Sequence, residues 1–121
     1  MGRFALLPAV RRAATRSFCA FPTIEPQFVL QYDYCENVLQ KREPHRAGHL
    51  ALATQFAREG SLVMGGAFES PKDGAMIVFN EKAAAYRFAK ADPYVKEGIV
   101  TKHRIREYSS VNFWDADGFA L

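Results

Sequence analysis

Two side chains stand out because their types and positions suit acid–base chemistry. His49 lies in a segment with helical periodicity, and on a helical wheel it falls within an apolar face. That face comprises Leu50, Ala53, Phe56 and Ala57. An imidazole within an apolar stripe must find a partner or accept a lowered pKa, so His49 is a candidate general base near neutral pH. The other interpretation is a histidine at the edge of the core whose ring is satisfied by a backbone carbonyl.

The second candidate is Asp92, which comes directly before Pro93. Asp at the N-cap with Pro at the first helical position is a common helix start, so capping alone would explain this aspartate. The same geometry leaves one carboxylate oxygen free to orient a histidine. Both interpretations of Asp92 stay open at this point.

The spacing of the other reactive residues argues against a metal or a cofactor. His45 and His49 are four residues apart, as zinc ligands on a helix are, but a third ligand is not evident. His103 falls on a predicted strand, and Cys19 and Cys35 have no metal-ligand spacing. The sequence contains no glycine-rich phosphate loop and no nucleophile-elbow motif. We therefore expect no metal and no cofactor.

The elements that must position these residues follow from periodicity and from glycine and proline signals. They are a strand at 27–34, a helix at 44–60, strands at 62–68 and 75–79, a helix at 81–90, a helical turn at 92–98 and a strand at 99–108. The order βαββαβ predicts an α+β fold of ferredoxin-like type with an antiparallel sheet. Two helices cover only one face of such a sheet, so we expect a homodimer to bury the other face.

Charge is divided unevenly along the chain. Residues 1–23 contain four arginines and no acid, whereas residues 24–121 contain twelve basic and thirteen acidic residues, a net charge of −1. The basic pI therefore belongs to the first segment, and we expect no nucleic-acid partner. The apolar run Phe4–Val10 is interrupted by Pro8 and is too short to span a membrane, so we expect no membrane partner.

The same first segment has the composition of an organelle-targeting peptide, rich in arginine and free of acids. We predict import into the mitochondrial matrix, with a plastid as the alternative address and a basic tail without a targeting role as the alternative interpretation. One domain at 24–111 and a C-terminal tail at 112–121 would then follow the leader.

Several segments, taken together in order and spacing, resemble the YCII-related domain family over about residues 27–111. They are Arg46-Ala47-Gly48-His49-Leu50, Glu59 to Gly66, Asp73-Gly74-Ala75, Ala91-Asp92-Pro93-Tyr94-Val95 with Gly98, and Arg104 to Tyr108. The resemblance implies a dimeric α+β barrel with a pocket for a small-molecule ligand.

The resemblance also implies roles for particular residues. His49 and Asp92 match the family's catalytic dyad, and Arg46 and Tyr94 match motif positions that we assign to substrate binding. His45 is an alternative match for the histidine, because Arg42 precedes it at the same spacing, but Leu50 favours His49. The implied chemistry is lyase- or isomerase-like acid–base catalysis on a small polar or cyclic metabolite. A non-catalytic dimeric binding or assembly module is the alternative.

Overall fold

The computed structural model describes residues 23–113. Its elements are, in chain order, β1 (Thr23–Tyr34), α1 (Val38–Lys41), α2 (Glu43–Arg58), β2 (Leu62–Ala67), β3 (Gly74–Phe79), α3 (Lys82–Ala91), α4 (Pro93–Lys96) and β4 (Val100–Asn112). Residues 27–108 form one compact unit that contains the core and the site, and the described residues on either side, 23–26 and 109–113, do not belong to that unit. Residues 1–22 of the predicted leader and 114–121 of the predicted tail lie outside the described residues.

The four strands form one sheet with the order β2-β3-β1-β4. The central strand β3 pairs antiparallel with both β1 and β2, and Leu30 lies opposite Ile77 in the first pair. Between Leu62 and Met64 the register of β2 shifts, as in a bulge on an edge strand. The predicted α+β fold of ferredoxin-like type is therefore confirmed.

The core forms on the face of the sheet that the helices cover. Leu30 and Phe79 of the sheet and Phe88 of α3 are fully buried there, and each such side chain stabilises the fold by about 1.5–3 kcal/mol. Phe56 of α2 packs edge-on against Phe88, with ring centroids 5.3 Å apart. The other buried residues of α3 are the small Ala84, Ala85 and Ala89. Their small side chains let this helix pack closely against the sheet.

The long helix α2 has the start and end that the sequence predicts. Pro44 stands in its first turn, and Gly60 follows it in the left-handed conformation, with φ 90°, which glycine adopts without strain. The short helix α1 is not predicted by the sequence pattern, because Asn37 before it is itself left-handed and makes no side-chain cap. Within residues 23–113 we find no helix long and apolar enough to cross a membrane.

The junction between α3 and α4 positions the aspartate. Asp92 has an extended backbone, with φ −68° and ψ 122°, because a following proline disfavours the helical conformation. Helix α2 passes close to this junction: a Cβ on Gly48 would lie 3.4 Å from Pro93 Cγ. The close approach brings the next residue of α2, His49, to the aspartate.

Candidate functional site

The Asp92 carboxylate is fully buried and is surrounded by donors. Its Oδ1 accepts a hydrogen bond of 3.0 Å from the backbone N–H of Tyr94, which caps α4. Its Oδ2 accepts a hydrogen bond of 2.6 Å from the hydroxyl of Tyr32. The Nδ1 atom of His49 lies 2.9 Å from Oδ1 and 3.0 Å from Oδ2. Asp92 is therefore a helix cap and a histidine partner at the same time, so the two interpretations left open by the sequence both apply.

The proton positions in this network follow from burial and charge. Burial, and after it the Asp92 charge, raises the pKa of the Tyr32 hydroxyl, so Tyr32 remains a neutral donor. Because Nδ1 of His49 faces a carboxylate, that nitrogen carries the ring proton in the neutral imidazole. The lone pair is then on Nε2, which is the nitrogen left for a ligand.

Two aromatic rings fix the orientation of the His49 ring. Tyr94 stacks on it with centroids 3.9 Å apart and planes at 1°, and Phe88 contacts it edge-on at 6.0 Å. The His49 side chain keeps 14% of its surface exposed, whereas Asp92 keeps none. The histidine is therefore held from three sides and accessible from a fourth.

The accessible side of His49 borders a cleft of about 670 Å³ between α2 and strands β2 and β3. Apolar and small residues line most of its length: Leu50, Ala53, Ala57, Leu62, Gly65, Gly66, Ala67, Ala75 and Ile77. Polar residues line the remainder: Tyr34, Arg42, Arg46, His49, Thr54, Glu69, Lys72 and Tyr94. The volume is within the range of pockets that enclose small organic ligands.

The apolar face of α2 that the helical wheel predicts is only partly buried in the core, and the rest of it lines the cleft. Phe56 is buried, but Leu50 is 45% exposed and, with Ala53 and Ala57, lines the cleft. The wheel correctly groups these residues with His49, and the group forms one wall of a cavity.

Arg46 and Tyr94, the two predicted substrate-binding residues, both line this cleft. Burial raises the pKa of the Tyr94 hydroxyl, and the neighbouring Arg46 guanidinium opposes that shift. The buried hydroxyl oxygen has no hydrogen-bond partner of good geometry among residues 23–113. Tyr34 is similar, since burial raises the pKa of its hydroxyl and Arg42 acts against the shift.

A sequence profile of the YCII-related domain matches residues 27–109, which is more than half of the chain. The chain belongs to the YCII-related domain family. The family predicted from the sequence motifs is therefore confirmed.

Among solved structures, the YCII-related domain described here is similar to 5-chloro-2-hydroxyhydroquinone dehydrochlorinase from Burkholderia phenoliruptrix AC1100, in its complex with 2,5-dihydroxybenzoquinone. The TM-score is 0.57 at 17% sequence identity, over 68% of this chain and 92% of that chain. At this identity the likeness supports the fold alone. No curated protein matches the sequence significantly.

The geometry separates the two candidate histidines of this YCII-related domain. His49 contacts Asp92, whereas His45 is not among the residues that line the cleft. Within residues 23–113 no three His, Cys, Asp or Glu side chains are grouped so as to hold a metal ion. The catalytic and substrate-binding roles of His49, Asp92, Arg46 and Tyr94 remain predictions.

Two contributors to the site, Tyr32 and Arg42, are not identified as site residues by any sequence motif. The alternation of β1 places Tyr32 on the buried face, and a buried tyrosine hydroxyl requires a partner, but the partner, Asp92, is 60 residues away. In the sequence, the only feature that draws attention to Arg42 is its spacing from His45, which matches the spacing of Arg46 from His49. Its place beside the cleft depends on the turn of α1 before it, which the sequence pattern does not predict.

Proposed function

We propose that this YCII-related domain is a small-molecule-binding enzyme in which His49 acts as general acid and base. The observation that carries the proposal is that the His49 ring contacts buried Asp92 on one side and borders the cleft on the other. A purely structural histidine would instead be sealed in packing. Asp92 holds the Nδ1–H tautomer and stabilises the imidazolium that forms when Nε2 takes a proton.

The chemistry that this arrangement supports is proton transfer at a carbon atom. Nε2 of neutral His49 removes a proton from a substrate carbon. In an elimination, the electron pair left behind forms a C=C bond as the bond between the adjacent carbon and the leaving group breaks, and His49 gives the proton to the departing group. In an isomerisation, the electron pair forms a C=C bond as the π bond of a neighbouring C=O or C=C shifts by one atom, and His49 returns the proton to the far end of the shifted system. Arg46 and Tyr94 bind the substrate. The dehydrochlorinase activity in the name of the structural neighbour supports a lyase-like reaction by analogy of fold.

The test is a metabolite screen by thermal shift on the purified protein, followed by turnover assays on the compounds that bind. Binding to the native state raises its stability by mass action, so the screen detects a ligand whatever reaction it undergoes. His49→Gln should abolish turnover while leaving binding measurable, and His45→Gln serves as the matched control. Turnover that survives His49→Gln would overturn the assignment. Binding without turnover of any ligand would favour the non-catalytic module.

We also propose that the protein is a homodimer. Helices α2 and α3 cover one face of the sheet, and on the other face Met64, which pairs with Val78, is 64% exposed, and Met76 is partly exposed. Apolar side chains on the face without helices favour an interface between two copies of the chain.

We further propose that residues 1–23 direct the protein to the mitochondrial matrix. The support is the partition of charge, since every acid of the chain follows residue 24. A fusion of residues 1–26 to a fluorescent reporter should enter mitochondria, and Arg11/Arg12/Arg16→Ala should return it to the cytosol. Cytosolic fluorescence of the unmutated fusion would contradict the proposal, and plastid fluorescence would change the address.

A further inference from the structure

The charged side chains around the cleft are not balanced. Three cationic residues line it, Arg42, Arg46 and Lys72, against one carboxylate, Glu69. Lys72 Nζ lies 3.0 Å from Glu69 Oε1, so these two charges are paired with each other. Neither arginine has an ion-pair partner among residues 23–113. The cleft therefore holds two uncompensated guanidinium groups on its polar side.

An unsatisfied donor accompanies the two arginines. The Tyr94 residue is only 1% exposed, and its hydroxyl oxygen is buried without a hydrogen bond of good geometry within the described residues, although the Arg46 guanidinium is close enough to act on it. A buried hydroxyl without a partner is destabilising, because it has lost its hydrogen bonds to water. Since Arg46 acts on the pKa of Tyr94, the guanidinium and the hydroxyl are close to each other. Two cations and a free O–H donor are complementary to an anionic oxygen.

The rest of the cleft suits an apolar group. Leu50 and Ala57 of α2 line one side, and Ile77 of β3 lines the other. Gly65 widens this region, because a Cβ built on it would lie 3.5 Å from the Ile77 side chain, on the same face of the sheet. The missing side chain at Gly65 leaves the space above β2 open.

We propose that the cleft binds an organic anion in which a carboxylate or enolate oxygen is attached to an apolar ring or short chain. This inference rests on the proposed function, because it concerns the same site. Arg42, Arg46 and the Tyr94 hydroxyl bind the anionic oxygen beside His49. The apolar body lies between α2 and Gly65. Arg42 and Gly65 are thereby substrate-binding positions in addition to the two predicted from the motifs.

Isothermal titration calorimetry of the full chain with three probes tests the contributions of the ligand's negative charge and of its apolar ring separately. The probes are benzoate, benzamide and acetate, which differ in charge or in the presence of a ring. Benzoate should bind about tenfold or more tightly than either of the others, since a charge-assisted contact and a buried ring should each contribute at least the ~1.4 kcal/mol that a tenfold difference requires. Arg42→Gln and Arg46→Gln should each remove most of the preference for benzoate over benzamide. Arg58→Gln, which removes the same charge from the exposed end of α2, is the matched control and should not change it.

The apolar part of the cleft beside Gly65 is tested with a longer probe, 2-naphthoate, and with the Gly65→Leu variant. The leucine should weaken 2-naphthoate about tenfold more than acetate, since its side chain fills the space of the second ring. Met64→Leu is the control, because Met64 belongs to the same strand, pairs with Val78 on the opposite face and is not among the residues that line the cleft. Circular dichroism and thermal melts confirm that each variant is folded.

The outcomes distinguish this inference from the proposed catalysis. His49→Gln should retain the preference for benzoate, because the arginines and Tyr94 remain. Equal binding of benzoate and benzamide, or no binding of any probe at millimolar concentration, would overturn the inference even if turnover of an uncharged metabolite were found. Selective binding of benzoate by a protein without any turnover would sustain it while overturning the proposed catalysis.

Discussion

Replacing Tyr32 with phenylalanine should destabilise the fold through a single buried hydrogen bond. The hydroxyl of Tyr32 donates to Asp92 Oδ2 at 2.6 Å, and both groups are buried. A hydrogen bond to a charged group contributes about 1.5–3 kcal/mol, and Tyr32→Phe removes the donor while keeping the ring. We therefore expect the free energy of unfolding at pH 7 to fall by about 2 kcal/mol, which for a domain of this size lowers the melting temperature by roughly 8–16 °C.

The stability difference between the wild type and Tyr32→Phe should also depend on pH, which a difference in packing alone would not. Burial and the Asp92 charge raise the pKa of Tyr32 in the folded state above its ordinary value of 10.0. The stabilisation is therefore fully present below pH 10 and is lost as the pH rises further, because the unfolded chain ionises while the folded chain does not. The loss is about 1.4 kcal/mol per pH unit for one group. A difference of about 2 kcal/mol between the wild type and Tyr32→Phe should close within roughly 1.5 pH units above pH 10.

Urea unfolding of both proteins between pH 7 and pH 11.5 measures this difference directly. The transition midpoint should change while the m value stays constant, since the unfolded chain exposes the same surface. Tyr86→Phe is the matched control, because Tyr86 is 55% exposed and its loss should leave stability unchanged. A Tyr32→Phe variant as stable as the wild type at pH 7 would refute the stabilising role of this hydrogen bond. A stability difference that stays constant up to pH 11.5 would refute it as well.

Three further predictions concern activity, assembly and location. Asp92→Asn should lower kcat for a metabolite that the screen identifies by about 10²–10⁴-fold, with a smaller change in KM, and an unchanged kcat would remove Asp92 from the mechanism. The segment Arg16-Ser17-Phe18 resembles a processing-protease site with cleavage after Phe18. Light scattering of the resulting residues 19–121 at micromolar concentration should give the mass of a dimer, and a monomer would require another explanation for the second face of the sheet. Deleting residues 1–18 should leave the urea midpoint unchanged, because an import signal makes no contribution to the fold; a lower midpoint would count against a leader.

The order of the four strands and of helices α2, α3 and α4 could be predicted from the sequence because each of these elements carries local signals. Pro44 and Gly60 delimit α2, and the alternation from residue 27 onward identifies β1, although the strand begins earlier, at Thr23. The helical turn Val38–Lys41 escapes prediction because its start depends on the left-handed backbone of Asn37 and on no capping side chain. Local sequence patterns thus predict the long elements, but they do not predict a short helix such as α1, whose start depends on an unusual backbone conformation.

The site could be predicted only where its residues belong to a local motif. His49 and Asp92 each stand in a recognisable segment, and the fold brings them into contact. Tyr32 is not adjacent to either in sequence, and its hydroxyl meets Asp92 only through the packing of the helices on the sheet. The wheel of α2 likewise identifies which residues share a face with His49. It does not indicate that Leu50 on this face borders an open cleft.

Stability and the proposed reactivity depend on the same carboxylate. Asp92 caps α4, accepts the Tyr32 hydroxyl from β1 and orients His49 of α2, so it connects three separate elements through one buried charge. Removing one partner from such a network leaves an unsatisfied buried group, which is strongly destabilising. An alanine at this position would therefore lose folding and chemistry together, and its inactivity would indicate nothing about mechanism. Asparagine keeps the shape of the side chain and an oxygen for the cap while removing the charge that stabilises the His49 cation. A loss of kcat in folded Asp92→Asn would accordingly report on the electrostatics of the dyad.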